Sequence, residues 1–401
     1  MSKQNAYVFI VCGDNDFIST LNLSLHALKK FSKNKIIVVT DLSRNASEIE
    51  HDTIIDVKTN SSYSHHQAAI FLKTSIHRYL DMDNFRYCYL DNDILAISSD
   101  VDGVFEQAFE IIGFCPDNIT FDYFSPYAVH CECIEKAAGH RNVLNNAIQE
   151  YSEIHEKWES VCNSPDGRKL EQKLNIVERK KFKHWASLVK YVFQKYNPFT
   201  KNIFLFDCNQ EKQSGKWFNK QGELILYPIK KYKDFVENKT GFRYNHIEKC
   251  WTLPGGTFDV TKPRCRHLHD EIKKQFNIEI TPENWQHPNG GLFLFDKNSV
   301  CFLERWHELS LKIFTFKEWK VRDQGSLAVT FWEYDLHRQK LIPETFNYIL
   351  DYNCEKTAYH PEMGYTKNNF QSYCWPKFVH IFHHFGDKDW PLWNETEKFI
   401  R

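Results

Sequence analysis

Two aspartates one residue apart break an apolar run that reads Tyr87-Cys88-Tyr89-Leu90-Asp91-Asn92-Asp93-Ile94-Leu95. On an extended segment, alternation would point Asp91 and Asp93 the same way. Paired carboxylates are hard oxygen ligands suited to Mg²⁺ or Mn²⁺, and open positions on such an ion suit phosphate oxygens. Carboxylates among apolar residues are costly unless paired or metal-bound. The chain holds two rival pairs, Asp14-Asn15-Asp16 after the first apolar run and Asp81-Met82-Asp83 before the run that starts near Tyr87. Aspartate at the second of these is ordinary turn chemistry. Apolar flanks on both sides single out the Asp91 pair.

Three further segments carry usable groups. Val379 to Trp393 reads VHIFHHFGDKDWPLW. Its histidines are core residues on the plainer reading, but a neutral imidazole is also a good third ligand beside two carboxylates. Gly386 would let the backbone approach a phosphate, and Lys388 would act as a point cation. Pro288-Asn289-Gly290-Gly291 is either a plain turn or a place where the Asn289 amide meets sugar hydroxyls. Asp323 is a plausible helix N-cap, or, with Gln324, a carboxylate and an amide at the edge of a cleft. Cys131-Glu132-Cys133 and Cys265-Arg266-His267-Leu268-His269 invite zinc. Neither has a paired CxxC spacing, so both are read as ordinary structural residues.

Alternating elements must hold these groups. Tyr7 to Cys12, Lys35 to Thr40, Tyr87 to Leu90 and Glu110 to Cys115 read as strands. A helix capped by Ser19 or Thr20 carries Leu21, Leu25, Leu28 and Phe31 on one face. A second runs from Ser64 to Leu80. Such alternation predicts an α/β fold with a mostly parallel sheet, whose ligands bind beyond the carboxyl ends of its strands. Residues 125–285 read differently, as charged helices broken near Ser164 to Gly167 and then short aromatic strands. They are taken as a large mixed α+β insertion. The α/β pattern resumes with a strand at Gly291 to Phe295, helices at Val300 to Phe314 and from Asp323, and a late strand at Phe378 to Phe385. The predicted organisation is therefore 1–124, 125–285 and 286–401. Trp185, Trp217, Trp251 and Trp285 suggest that the middle segment binds an acceptor.

The chain's 401 residues allow a large core. A formal net charge of -1 argues against a general nucleic-acid binder. The polar start Met1 to Asn5 lacks a signal-peptide apolar region, no stretch approaches the length of a membrane span, and the 12 cysteines are scattered. These point to a cytoplasmic protein with reduced thiols. Peripheral membrane contact stays open.

In sequence order, these segments resemble the GT-A glycosyltransferases of the glycogenin and lipopolysaccharide galactosyltransferase family. Asn15-Asp16-Phe17 matches that family's opening element, and Lys73 its helix lysine. Asp91-Asn92-Asp93 matches its Asp-x-Asp motif, with Asn92 counted among the donor-binding residues. Asn289-Gly290-Gly291 and Asp323-Gln324-Gly325 match two later elements, and His383 to Trp390 approximates its C-terminal motif. There the lysine stands one residue early and Pro-Trp is reversed to Trp390-Pro391. The resemblance covers about residues 5–120 and 286–393. It implies a Rossmann-like GT-A core and transfer of a hexose from a UDP-sugar, with retention, in polysaccharide biosynthesis. The acceptor would be a glycan, a lipid-linked molecule or a protein. It implies Mn²⁺ or Mg²⁺ on Asp91, Asp93 and His383, with His384 as competitor since a one-residue slip exchanges their faces. Lys73, Gly386 and Lys388 would serve the phosphates, Asn289, Gly290 and Asp323 the sugar, and Gln324 the reacting face. The rival readings are an inverting GT-A enzyme with Asp323 as base, a nucleotidyltransferase, and a non-catalytic sugar-binding protein.

Overall fold

The computed structural model describes residues 3–178, 185–351, 356–367 and 372–400. Two units separate, Met1–Ile134 with Arg264–Arg401, and Glu135–Pro263. The first opens with β1 (Gln4–Val11), α1 (Asn15–Phe31), β2 (Lys35–Thr40), β3 (Ile54–Asp56), α2 (His65–Thr74), β4 (Phe85–Leu90), β5 (Ile94–Ala96), β6 (Gly113–Pro116) and α3 (Phe121–Ala128). Helix α4 (Cys133–Cys162) begins in the first unit and runs into the second, which continues with α5 (Pro165–Glu178), α6 (Trp185–Tyr196), β7 (Asn202–Leu205), β8 (Cys208–Glu211), β9 (Trp217–Phe218), β10 (Leu224–Leu226), α7 (Tyr232–Thr240), β11 (Arg243–Asn245) and β12 (Cys250–Thr252). The first unit resumes with α8 (His267–Phe276), β13 (Pro288–Phe295), α9 (Val300–Ile313), α10 (Asp323–Glu333), β14 (Tyr348–Ile349), β15 (Ala358–His360), β16 (Gly364–Thr366), β17 (Phe378–His380) and α11 (Pro391–Ile400).

The continuous apolar runs are explained by a sheet buried on both faces. Along β1, Ala6, Val8 and Ile10 enter one core while Tyr7, Phe9 and Val11 enter the other. The sheet order is β3-β2-β1-β4-β13-β6. The first four strands pair in parallel, whereas β13 pairs antiparallel with both β4 and β6. The sheet is thus mostly parallel, as expected, but mixed: of its six strands β13 alone, from the C-terminal half, enters in reverse. Much of the aromatic content is core. Phe114 packs on Phe293, Phe302, Trp306 and Phe331, with ring centroids 5.2–6.2 Å apart. A smaller sheet, β14-β17-β5, adjoins the second core face.

Several boundaries differ from the sequence reading. Helix α1 starts at Asn15, directly behind the extended Asp14, rather than at Ser19 or Thr20. Helix α2, expected over Ser64 to Leu80, starts at His65 behind a Ser64 cap, completed by Gln67 as a capping box, and ends at Thr74, where it passes into a 3₁₀ turn. Helices α3 and α8 pack into the first unit's core, so residues 125–134 and 264–285 belong with it. Trp217 and Trp251 are buried in the cores of the second unit and Trp285 in that of the first, while Trp185 is exposed. Among the described residues no helix is long and apolar enough to cross a membrane.

Candidate metal and donor site

Tyr87 and Tyr89 of β4 face the core under α2, and alternation carries Asp91 to the same side just beyond the strand. There it meets two helices. Buried Lys73 of α2 lies 3.1 Å from Asp91 Oδ1 and 2.8 Å from Asp323 Oδ2 at the start of α10. Tyr89 donates its hydroxyl to Asp91 Oδ1 at 2.5 Å. Burial raises the Asp91 pKa, Lys73 works against this, and the Asp93 and Asp323 charges add to the rise. Asp323 goes the other way: burial would raise it, but Lys73 outweighs burial and holds it below the usual carboxylate range. Lys73 itself is pushed up, because the two carboxylates overcome its burial.

Asp93 does not share a continuous strand with Asp91. The chain turns at this point, with the Ile94 amide donating to Asp91 O at 3.2 Å, and enters β5. The turn, not strand alternation, brings the carboxylates together. Strand β5 pairs with β17 so that Ile94 lies opposite His380. His380 Nε2 thereby stands 3.2 Å from Asp93 Oδ1. One ligand atom from each of Asp91, Asp93 and His380 falls within 4.8 Å of the others.

The third group is thus His380 rather than the expected His383. The late strand ends at His380, not at Phe385. Ile381 then donates its amide to Asp93 O, and the His383 and His384 amides both bond Asp351. That wrapping leaves the His383 ring exposed beside Phe382. His384 stacks on Trp390 and bonds Asp387 at 2.9 Å.

A directional network aims His380. The Gly291 amide can only donate, and it gives its hydrogen to Asn289 Oδ1 at 2.8 Å. Asn347 Nδ2 donates to the same oxygen at 2.8 Å, which leaves Asn347 Oδ1 to accept from His380 Nδ1 at 3.0 Å. His380 therefore carries a hydrogen on Nδ1 and turns Nε2 toward Asp93. Asp93 Oδ1 is buried and accepts no hydrogen bond of good geometry among the described residues. Two lone pairs facing each other at this distance require a cation between them, a proton or a metal. Burial would lower the His380 pKa, but Asp93 and then Asp91 raise it overall. The donor set of two carboxylates and one oriented imidazole fits Mn²⁺ or Mg²⁺.

The floor leaves no room for a Cβ at Gly291 and only ordinary contact for one at Gly290. A Cβ at Gly291 would lie 2.7 Å from His380 Cε1 and 2.8 Å from Asn289 Oδ1. A Cβ at Gly290 would meet Asp323 and Lys73 at 3.4 and 3.5 Å. A cavity of about 220 Å³ opens from the carboxylates. Its apolar wall includes Ile10, Val11, Cys12 and Ile70, and its polar end Lys73, Asp91, Asn92, Asp93 and Asp323. Phe17 lines it with a ring that is 52% exposed, and Asn92 donates to Phe17 O at 3.3 Å. Asn15 and Asp16 are exposed at the start of α1.

Other expected residues stand elsewhere or serve otherwise. Asn289 points into the scaffold, holding Asp117, Gly291 and Asn347, rather than offering its amide to a ligand. Gln324 is half-buried beside Gly290 and makes no hydrogen bond among the described residues. Gly386 takes the left-handed φ of 77° in open space, and Lys388 is exposed outside the cavity wall. Sequence reasoning missed His380, Asn347 and Tyr89. The available signal for His380 was its place in an apolar alternation able to pair with Ile94-Leu95-Ala96.

No family model matches the chain, and no curated protein matches it. Among solved structures, it is similar to the bifunctional glycosyltransferase WbbM, with 10% identity and a TM-score of 0.40 over 100% of this chain and 50% of that one. It is also similar to mouse xyloside xylosyltransferase 1, with 10% identity and a TM-score of 0.38 over 96% and 99%. The galactosyltransferase LgtC, in complex with donor and acceptor sugar analogs, aligns at 9% identity and a TM-score of 0.40 over 98% and 95%. At these scores the likenesses carry no argument about chemistry.

Proposed function

We propose that this chain is a metal-dependent GT-A glycosyltransferase that moves a hexose from a UDP-sugar to a hydroxyl acceptor with retention of configuration. The convergence of Asp91, Asp93 and His380 within 4.8 Å carries this reading. Those three would hold Mn²⁺ or Mg²⁺, which when bound supplies positive charge for the departing diphosphate. The cavity's composition supports a nucleotide lying against it. Its apolar wall and the exposed Phe17 ring suit a base, and the carboxylate end suits a metal-bound diphosphate.

The surrounding residues take roles that follow from their contacts. Lys73 fixes Asp91 and Asp323 relative to each other, favours the ionised form of Asp323 and opposes the rise that burial imposes on Asp91. Asn289 and Asn347 orient His380. Asp323 offers a carboxylate, and uncommitted Gln324 an amide, to the sugar. Retention is favoured over inversion because Asp323, paired with Lys73 and depressed in pKa, is a weak general base. The acceptor would be a glycan, a lipid-linked molecule or a protein.

The test is a panel of UDP-hexoses with and without Mn²⁺, followed by UDP release and by NMR of the product's anomeric centre. Expected is Mn²⁺-dependent release from one donor, with its anomeric configuration kept. Failure of every UDP-sugar to bind or turn over would overturn the reading, and an inverted product would overturn retention alone.

A further inference from the structure

We propose that Cys131, Cys133, Cys265 and His267 form a structural zinc site, separate from the carboxylate site and independent of the glycosyl-transfer reading. One ligand atom from each of the four lies within 4.8 Å of all the others. Cys133 Sγ stands 3.7 Å from His267 Nδ1. A tetrahedral ion with Zn–S near 2.3 Å and Zn–N near 2.0 Å sets its ligand atoms about 3.5–3.8 Å apart. The Cys133–His267 separation matches that spacing, and the other pairs fall within 4.8 Å, close enough for a small shift of side chains to close on one ion.

The sequence conceals this site because its ligands arrive as two half-sites. Cys131-x-Cys133 and Cys265-x-His267 each have one residue between ligands, and each pair ends on the first residue of a helix, where the chain brings the two groups together. Neither resembles a zinc motif alone. Together they supply three thiolates and one imidazole, a closed set that fills tetrahedral zinc and leaves no position for substrate. Soft sulfur selects zinc over the Mn²⁺ or Mg²⁺ suited to Asp91 and Asp93.

Neighbouring contacts support the ligand set. Buried Ser125 accepts the Leu268 amide at 2.9 Å, so its own hydroxyl is free to donate to Cys265 Sγ, 3.1 Å away. A donor aimed at a sulfur is the outer-sphere arrangement that metal-bound thiolates take. The Cys265 amide donates to Asp122 O at 3.1 Å, and Arg264 pairs with the Asp122 carboxylate, which fixes this strand of chain. Helices α4 and α8 begin at Cys133 and His267. All four ligands belong to the first unit, yet they flank the points where the chain leaves it at Ile134 and returns at Arg264. Zinc here would close the long excursion Glu135–Pro263 at its base, where a cross-link removes loop entropy from the unfolded chain.

The full-length chain, expressed in zinc-supplemented medium and purified without a metal-affinity tag, should carry about one zinc by elemental analysis. Cys131→Ser with His267→Ala should reduce this to near zero, and Asp93→Asn should leave it unchanged. Cobalt exchanged into the unmodified chain should give thiolate charge-transfer and tetrahedral d–d bands. This reading stands even if the variants fail to fold. Mass mapping should show Cys131, Cys133 and Cys265 protected from alkylation until a strong chelator is added. Zinc-free protein with freely reacting thiols, a disulfide among the three cysteines, bound iron with sulfide, or zinc that persists in the double variant would each overturn the proposal.

Discussion

His380 Nδ1 stands 3.0 Å from Asn347 Oδ1, and that contact decides which nitrogen the imidazole turns toward Asp93. The contact is itself directed from the Gly291 backbone amide through Asn289. A residue with no reach to a ligand thus controls the most oriented group of the site. Asn347→Leu should leave the fold intact and weaken Mn²⁺ binding about 10–100-fold, the usual effect of removing a partner behind a ligating histidine. Calorimetric titration of Mn²⁺ into the variant checks this, and an unchanged affinity would remove Asn347 from the site.

Lys73 is the buried counter-ion of two carboxylates. Lys73→Met should cost about 3–5 kcal/mol, because Asp91 and Asp323 are left uncompensated. Added Mn²⁺ should restore more stability to this variant than to the parent, since the ion replaces the missing charge. Denaturant unfolding with and without Mn²⁺ measures both effects.

Gly291→Ala should lower Mn²⁺ affinity by at least about tenfold, because its Cβ would displace the His380 ring and the Asn289 oxygen. Gly386→Ala provides the contrast. Its Cβ would meet nothing within 4 Å, and only the left-handed φ of 77° resists it. It should cost about 1–2 kcal/mol of stability and leave Mn²⁺ binding unchanged. Paired thermal and metal titrations of the two variants separate these outcomes.

Acid sensitivity should include a contribution from His307. Burial holds its pKa down to about 4, with Arg78 adding to the fall, Glu304 opposing it and His77 adding slightly. Its Nδ1 lies 2.8 Å from the Thr74 hydroxyl. The unfolded chain binds this proton near pH 6.5 and the folded chain only near pH 4, so stability is full above about 6.5 and declines as pH falls toward 4. The loss at the lower end should be roughly 1–3 kcal/mol. His307→Gln should flatten this part of the stability–pH curve measured by urea unfolding, and an unchanged slope would exclude His307 as a source.

How legible the site was depended on range. The apolar runs of β1, β2 and β4 announced a sheet buried on both faces, and the carboxylates at the end of β4 were visible from their flanks. Lys73 and Asp323, both picked out in the sequence, meet around Asp91 as an ion-pair network. What could not be read was pairing across distance. The reversal of β13 and the register of β17 against β5 are properties of strands far apart in sequence, and the second of these selects His380 over His383. Asn289 looked like a ligand group because its amide is versatile; only its buried partners reveal that both ends are engaged. The cysteine half-sites are visible in the sequence, but each alone lacks a zinc spacing and their meeting depends on the fold.

The central claim is that Asp91, Asp93 and His380 hold a divalent ion against a nucleotide diphosphate. Titration of UDP into Mn²⁺-saturated protein, compared across the parent, His380→Ala and His383→Ala, tests it most directly. Binding of UDP that requires Mn²⁺, falls at least about tenfold in His380→Ala and persists in His383→Ala is the expected result. Mn²⁺-independent binding, or loss in His383→Ala with His380→Ala unaffected, would contradict it.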